Sequence, residues 1–356
     1  MSRRGTVPIV TNPTTATAEW LRSNGYVPRG GRPAFGRIGN VVRAGVLAVV
    51  ALLAASCGSP GKPVDPAPVS NAAWPQPAHV GGPDATAGGG ADTSCNPLAS
   101  LPPNGTIASG STMAKIKERG KLIAGVDQTT YLFGFRNPTS GNLEGFDIDM
   151  VNAIARALFG TSDGHVQFRA IPSLQREDVL KEHQVDVVVR TYSITCSRKK
   201  DVDFSSVYYQ AGQRILVAKE SKAEKLSDLS GKRVCATKKS TSLAKIATDP
   251  AKPVPISVDN WSDCLVMLQQ GQVAAVSTDD TILAGMAAQD PTLKVVGEQF
   301  TQENYGIGVP KDNEDMVRYV NAVLDEIRGT GVWQDSYRKW VEPSLGPASP
   351  PSPQYR

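Results

Sequence analysis

The sequence predicts an α/β fold in which two α/β lobes are joined by a two-strand hinge. Three observations predict it. From residue 122 onward, short β-branched runs alternate with amphipathic segments, the rhythm of strands and helices sharing a sheet. Two extended stretches, 207–218 and 305–309, divide that rhythm, so the chain leaves a first block and later returns to it. After the return, Met316, Val317, Val320, Leu324 and Ile327 recur at helical spacing and give a long helix over 313–328 to close the first lobe.

The elements follow in order. Residues 44–55 form an apolar run of 12, preceded by Arg37 and Arg43 and followed by Ser56-Cys57-Gly58. That is the layout of an export signal, and it is too short to span a bilayer. Residues 1–56 are therefore read as a leader. Small residues before Cys57 resemble a lipobox, whose cysteine receives a diacylglycerol and holds the protein on the outer face of the cytoplasmic membrane; the alternative is a plain cleaved signal. Residues 57–93 read as a tether, because 58–93 holds seven Pro, seven Gly and almost no large apolar residue to drive ordering. The domain is expected over 94–345. Strands are predicted at 122–126, 166–170 and 185–189 and a helix at 149–158, making a first lobe of about 94–209 and 308–345. A second lobe, about 210–307, takes a strand at 232–236, a helix at 264–270 and a strand at 274–277. Residues 346–356 read as a second disordered piece.

Removing the seven arginines and single glutamate of 1–56 from totals of 38 and 34 leaves 31 basic and 33 acidic residues. Without a concentrated basic face, no nucleic-acid partner is expected. Four cysteines follow Cys57: Cys95, Cys196, Cys235 and Cys264, an even number in an exported chain that allows three disulfide pairings. No CxxC or Cys/His spacing favours zinc, and His79, His165 and His183 are scattered, so no metal and no cofactor are expected. Nothing has the pattern of a Ser/His/Asp set or a phosphate-cradling glycine loop.

The run GFDIDMVNAIARAL, residues 145–158, joins a strand end with two carboxylates to a helix with small and apolar residues at helical spacing. It resembles the signature of family 3 of the extracellular solute-binding proteins, which serve polar amino-acid ABC transporters, and the likeness extends over roughly 112–341. A second run, TYSITCSRKKDVDFS at 191–205, resembles the family segment that follows the strand ending at the cleft. The resemblance implies a periplasmic-binding-protein-like type II fold. It also implies Cys95 paired with Cys196 and Cys235 with Cys264.

For the site, the resemblance implies that Arg198 grips a ligand α-carboxylate, which suits the planar fork of a guanidinium. Ser193 assists it, and the Thr191 carbonyl faces the α-ammonium. From the other lobe, Asp279 pairs the ammonium, with Asp280 as alternative, since one of two adjacent acids can cap the next helix. In KKSTS, Lys238, Ser240, Thr241 and Ser242 stand between a strand and a helix, where hydroxyls and backbone N–H groups receive a carboxylate. Arg176 resembles an arginine placed near acidic ligand side chains, and Arg190 adds positive charge of unknown direction. Asp127 occupies the place of an acid that reads an amide, Tyr131 covers one ligand face, and Phe133 is equally a core residue. These charges together suggest glutamate, aspartate or glutamine.

The expected function is thus a non-catalytic receptor, a monomer, delivering its amino acid to an ABC permease or reporting it to a membrane sensor. A dehydratase-like enzyme on the same fold is the competing class.

Overall fold

The structure, a computed structural model, describes residues 75–82 and 95–356. The leader, Cys57 and most of the expected tether lie outside them. Among the described residues no helix is long and apolar enough to cross a membrane.

The two lobes repeat one plan. In the first, five strands lie in the order Val166–Ala170, Leu122–Val126, Val187–Val189, Gly308–Pro310, Val202–Phe204. The first three run parallel, while Gly308–Pro310 is antiparallel to both its neighbours. In the second, the order is Val254–Val258, Arg233–Thr237, Ala275–Asp279, Gln213–Ala218, Leu293–Val296, again three parallel strands and a fourth antiparallel to both neighbours. Between the lobes, Tyr209–Ala211 pairs antiparallel with Glu303–Tyr305, and this two-stranded ribbon is the hinge.

The helix Phe146–Phe159 shows why residues 145–158 are so constrained. Gly145 has φ 128°, and a Cβ there would stand 2.3 Å from the Phe133 carbonyl oxygen, so only glycine fits. Phe146 is fully buried against Tyr208, Tyr209, Trp333 and Tyr337. Asp149 accepts hydrogen bonds from Ser336 Oγ and Trp340 Nε1, both at 2.7 Å, docking the helix Val332–Trp340 onto the first. Met316, Val317, Val320, Leu324 and Ile327 all pack into the same core from the helix Glu314–Gly329. Phe133 belongs to that core. Fully burying such side chains contributes about 1.5–3 kcal/mol each, which fixes the first lobe as a rigid wall.

Both disulfides form within a lobe. Cys95–Cys196 ties the start of the domain to the loop before Arg198, and Cys235–Cys264 ties the strand Arg233–Thr237 to the helix Trp261–Gln269.

Two expectations about order are corrected. The tail 346–356 is not disordered: Gln354–Tyr355 adds a short parallel strand beside Ala99–Ser100, and Tyr355 donates its hydroxyl to Asp325 at 2.7 Å. Composition missed it because two paired residues and one aromatic suffice to dock a proline-rich stretch. Residues 75–82, assigned to the tether, lie on the edge strand of the second lobe. Gly81 exchanges two 2.9 Å backbone hydrogen bonds with Ser257, and Val80 packs against that lobe's core. An edge strand offers unpaired backbone groups that a glycine-containing segment satisfies readily.

Candidate ligand-binding cleft

Both parallel triplets aim their carboxyl ends at the space between the lobes, the usual ligand crevice of such sheets. Asp127 follows Val126, Arg190 and Thr191 follow Val189, Lys238 follows Thr237, and Asp279 ends its own strand.

On the first lobe, two arginines flank one aromatic ring. The guanidinium carbons of Arg176 and Arg198 lie 4.4 and 4.9 Å from the Tyr192 ring centroid. Arg176, only 3% exposed, donates to Ser173 O at 3.0 Å and Thr191 O at 3.5 Å. Arg198 donates to Ser193 O at 2.6 Å and pairs with Glu177 at 3.2 Å. Each then reaches the same oxygen of the second lobe, the Lys239 carbonyl, at 3.3 Å from Arg176 and 3.0 Å from Arg198. Burial, and then the charge of Arg198, lowers the Arg176 pKa to about 9. Two crowded guanidiniums converging on one acceptor make a place where an anion is stabilised.

Thr191, between these groups, has φ 41°, in the left-handed region that a β-branched residue rarely adopts. Asp147 holds it there by accepting its N–H at 2.9 Å while also accepting the Tyr208 hydroxyl at 2.7 Å. One of the two signature carboxylates thus shapes the cleft from beneath. Burial raises the Asp147 pKa to about 7 against the opposing effect of those two hydrogen bonds.

The second lobe supplies the opposite charge. Asp279, 3% exposed, accepts the Tyr305 hydroxyl on Oδ2, while its Oδ1 is buried with no donor. Burial, then the nearby charge of Glu303, pushes this carboxyl well above the usual range, so a cation brought to Oδ1 would restore its ionised form. Asp280, the first residue of the next helix, is engaged within its own lobe: its carboxylate accepts from Thr281 N at 2.8 Å and Gln299 Nε2 at 2.7 Å.

Arg176, Thr191 and Ser193 from one lobe line a cavity with Ser240, Thr241, Ser242 and Asp279 from the other. Its water-accessible volume is about 10 Å³, room for little more than one water in this arrangement of the lobes. Ser240 caps the helix Thr241–Thr248 by accepting from Leu243 N at 3.0 Å, and Ser242 Oγ lies 2.9 Å from Thr278 Oγ1. Thr241 donates to Glu303 at 2.9 Å.

Other expected residues sit elsewhere. Arg198 bridges the lobes beside the cavity rather than lining it. Asp127 is not free to read an amide: Oδ1 accepts from Gln128 N and Thr129 N at 2.7 and 2.8 Å, and Oδ2 faces Thr130 Oγ1 and the buried Arg190 Nη2 at 2.6 and 2.8 Å. Arg190 thereby acquires its direction, toward Asp127, the Ile171 carbonyl and Ser173 Oγ, inside the first lobe. Lys238 turns to Asp259 at 3.0 Å, away from the cavity. Tyr131 packs edge-on to Phe135 and lines a neighbouring crevice. Its carbonyl oxygen would lie 2.4 Å from a Cβ on Gly285, so that glycine lets the lobes approach.

The residues missed from sequence are Ser173, Trp261, Thr278 and Ile282, which complete the cavity lining, together with Asp147 and Glu303 behind it. Their only signal was position: each lies within a few residues of a strand end or helix start.

Two like-built lobes, a two-strand hinge and opposed charges across a crevice define the class, a two-lobed binding protein of the periplasmic type II fold. Residues 122–343 match the family model of bacterial extracellular solute-binding proteins, family 3, and the chain belongs to that family. It is similar to the ABC transporter glutamine-binding protein GlnH of Bacillus subtilis, 38% identical over 65% of this chain and 85% of that one. The glutamate-binding protein GluB of Corynebacterium glutamicum is 32% identical over 61% of this chain and 77% of its own length. Among solved structures, an ancestral arginine-binding protein bound to glutamine superposes with a TM-score of 0.60 at 36% identity, covering 64% of this chain and 99% of that one. Family membership makes the protein a solute-binding receptor rather than an enzyme.

Proposed function

We propose that the cleft binds a polar amino acid, glutamate, aspartate or glutamine, and closes on it for delivery to an ABC-type permease. One observation carries the reading: Arg176 on one wall with Arg198 beside it, and a buried, half-satisfied carboxylate on the other wall, match the two ends of a zwitterion. In this reading, Arg198 and Arg176 take the α-carboxylate in place of the Lys239 carbonyl, and Asp279 Oδ1 takes the α-ammonium. The buried positive charge of Arg176 opposes a cationic side chain, which favours acidic and amide ligands over arginine. The glutamine- and glutamate-binding relatives are consistent with this selection. The ligand favours the closed arrangement because only there do both lobes contact it. Export with a lipid on Cys57 would hold the receptor, as a monomer, on the outer face of the membrane beside its permease.

Titration calorimetry with a panel of amino acids tests the proposal. Heat at one-to-one stoichiometry for glutamate, aspartate or glutamine, with the ligand recovered unchanged, supports it. Silence toward all three overturns it.

A further inference from the structure

Among the polar side-chain atoms of the cavity-lining residues, two are buried without a hydrogen-bond partner: Asp279 Oδ1 and Trp261 Nε1. One is an acceptor and the other a donor. Leaving an N–H buried and unpaired costs about 1–3 kcal/mol, so native interiors rarely do so without a reason. Asp279 Oδ1 has its reason in the ammonium; the indole needs a different partner, because an N–H cannot serve a cation.

The position of the indole suggests what that partner is. Trp261 and Ile282 line both the arginine-bearing cavity and the adjacent crevice, whose far side is Thr129, Thr130 and Tyr131 of the first lobe. The indole therefore stands where a side chain would leave the two charged clamps. Its placement is rigid. Trp261 is the first residue of its helix, whose start is locked by Asn260 and Asp263, and Cys264, one turn on, is disulfide-bonded to Cys235. The ring is 3% exposed within the second lobe's core.

We infer that Trp261 is a specificity-determining residue, whose indole N–H donates to an oxygen on the side chain of the bound amino acid. The inference rests on the amino-acid reading of the cleft and adds a selection rule to it. Side chains ending in a carboxylate or amide carbonyl gain a hydrogen bond, whereas aliphatic side chains leave the donor unpaired and cationic ones oppose it.

The test uses Trp261→Phe, which keeps an aromatic ring and removes the N–H, with calorimetry on L-glutamate, L-glutamine and L-norvaline. The expected result is a loss of about tenfold or more for glutamate and glutamine and a change within about twofold for norvaline, equivalent to one hydrogen bond to a polar or charged group. Because the variant also alters core packing, the wild-type protein is observed by ¹H–¹⁵N correlation of its tryptophan indoles. The resonance absent from Trp261→Phe, or assigned by replacing the other tryptophans if that variant does not fold, should shift downfield with glutamate and not with norvaline. Wild-type binding with equal losses for all three ligands, or an indole resonance indifferent to glutamate, would overturn the role of Trp261 alone. No binding by the wild type would overturn the amino-acid reading and this inference with it.

Discussion

Tyr305 donates a hydroxyl hydrogen bond to one carboxylate oxygen of Asp279 and leaves the other buried and unmet. Tyr305 belongs to the returning hinge strand, so the carboxylate that faces the cleft is held by the ribbon that joins the two lobes.

Burial raises the Asp279 carboxyl well above the ordinary range, so a proton competes with the proposed ligand ammonium for this side chain. Affinity should fall as pH falls, since protons compete with ligand for the carboxylate. Calorimetric binding enthalpy should vary with the ionisation enthalpy of the buffer, and Asp279→Asn should abolish that variation and weaken binding at least a hundredfold. A buffer-independent enthalpy in the wild type would remove Asp279 from the ammonium site.

Arg198→Ala should weaken ligand binding by about 2–5 kcal/mol, as for loss of one partner of a desolvated charge pair, with little change in melting temperature. Near-normal affinity would show that the Lys239 carbonyl, not a ligand carboxylate, is the true partner of Arg198.

Arg176→Ala should weaken all three ligands through the shared α-carboxylate, and glutamate and aspartate more than glutamine, because a buried guanidinium also acts on a nearby charged side chain. Equal losses for all three in competition calorimetry would assign Arg176 to the α-carboxylate only.

Asp127 and Arg190 form a buried ion pair, so Asp127→Ala should destabilise the fold by about 3–5 kcal/mol in urea unfolding while leaving the ligand ranking unchanged. A changed ranking with normal stability would return Asp127 to the pocket.

The Asp147 carboxyl is raised from 3.8 to about 7, so between those values the folded state binds a proton that the unfolded chain does not. Stability should therefore decline as pH rises from about 4 to 7 and level off above, by up to about 1.4 kcal/mol per unit from this group. Chemical denaturation across that range should show the decline in the wild type and its loss in Asp147→Asn.

The alternation of β-branched runs with amphipathic segments, the two crossings and the 313–328 stripe determined the two-lobed α/β plan, because burying one face of each element leaves few other arrangements. The signature residues were equally legible, since Gly145 answers to a backbone approach that tolerates no Cβ. What a carboxylate or guanidinium does was not. Asp127 and Arg190 lie 63 residues apart in sequence and cancel one another, whereas Arg176 and Arg198 meet on one tyrosine and one carbonyl of the other lobe. The docked tail and the 75–82 segment on its sheet edge were likewise settled by contacts across the whole chain. Charges act through space at 3 to 5 Å, and sequence order carries no measure of that distance; only the tertiary structure decided which of them remain free to face a ligand.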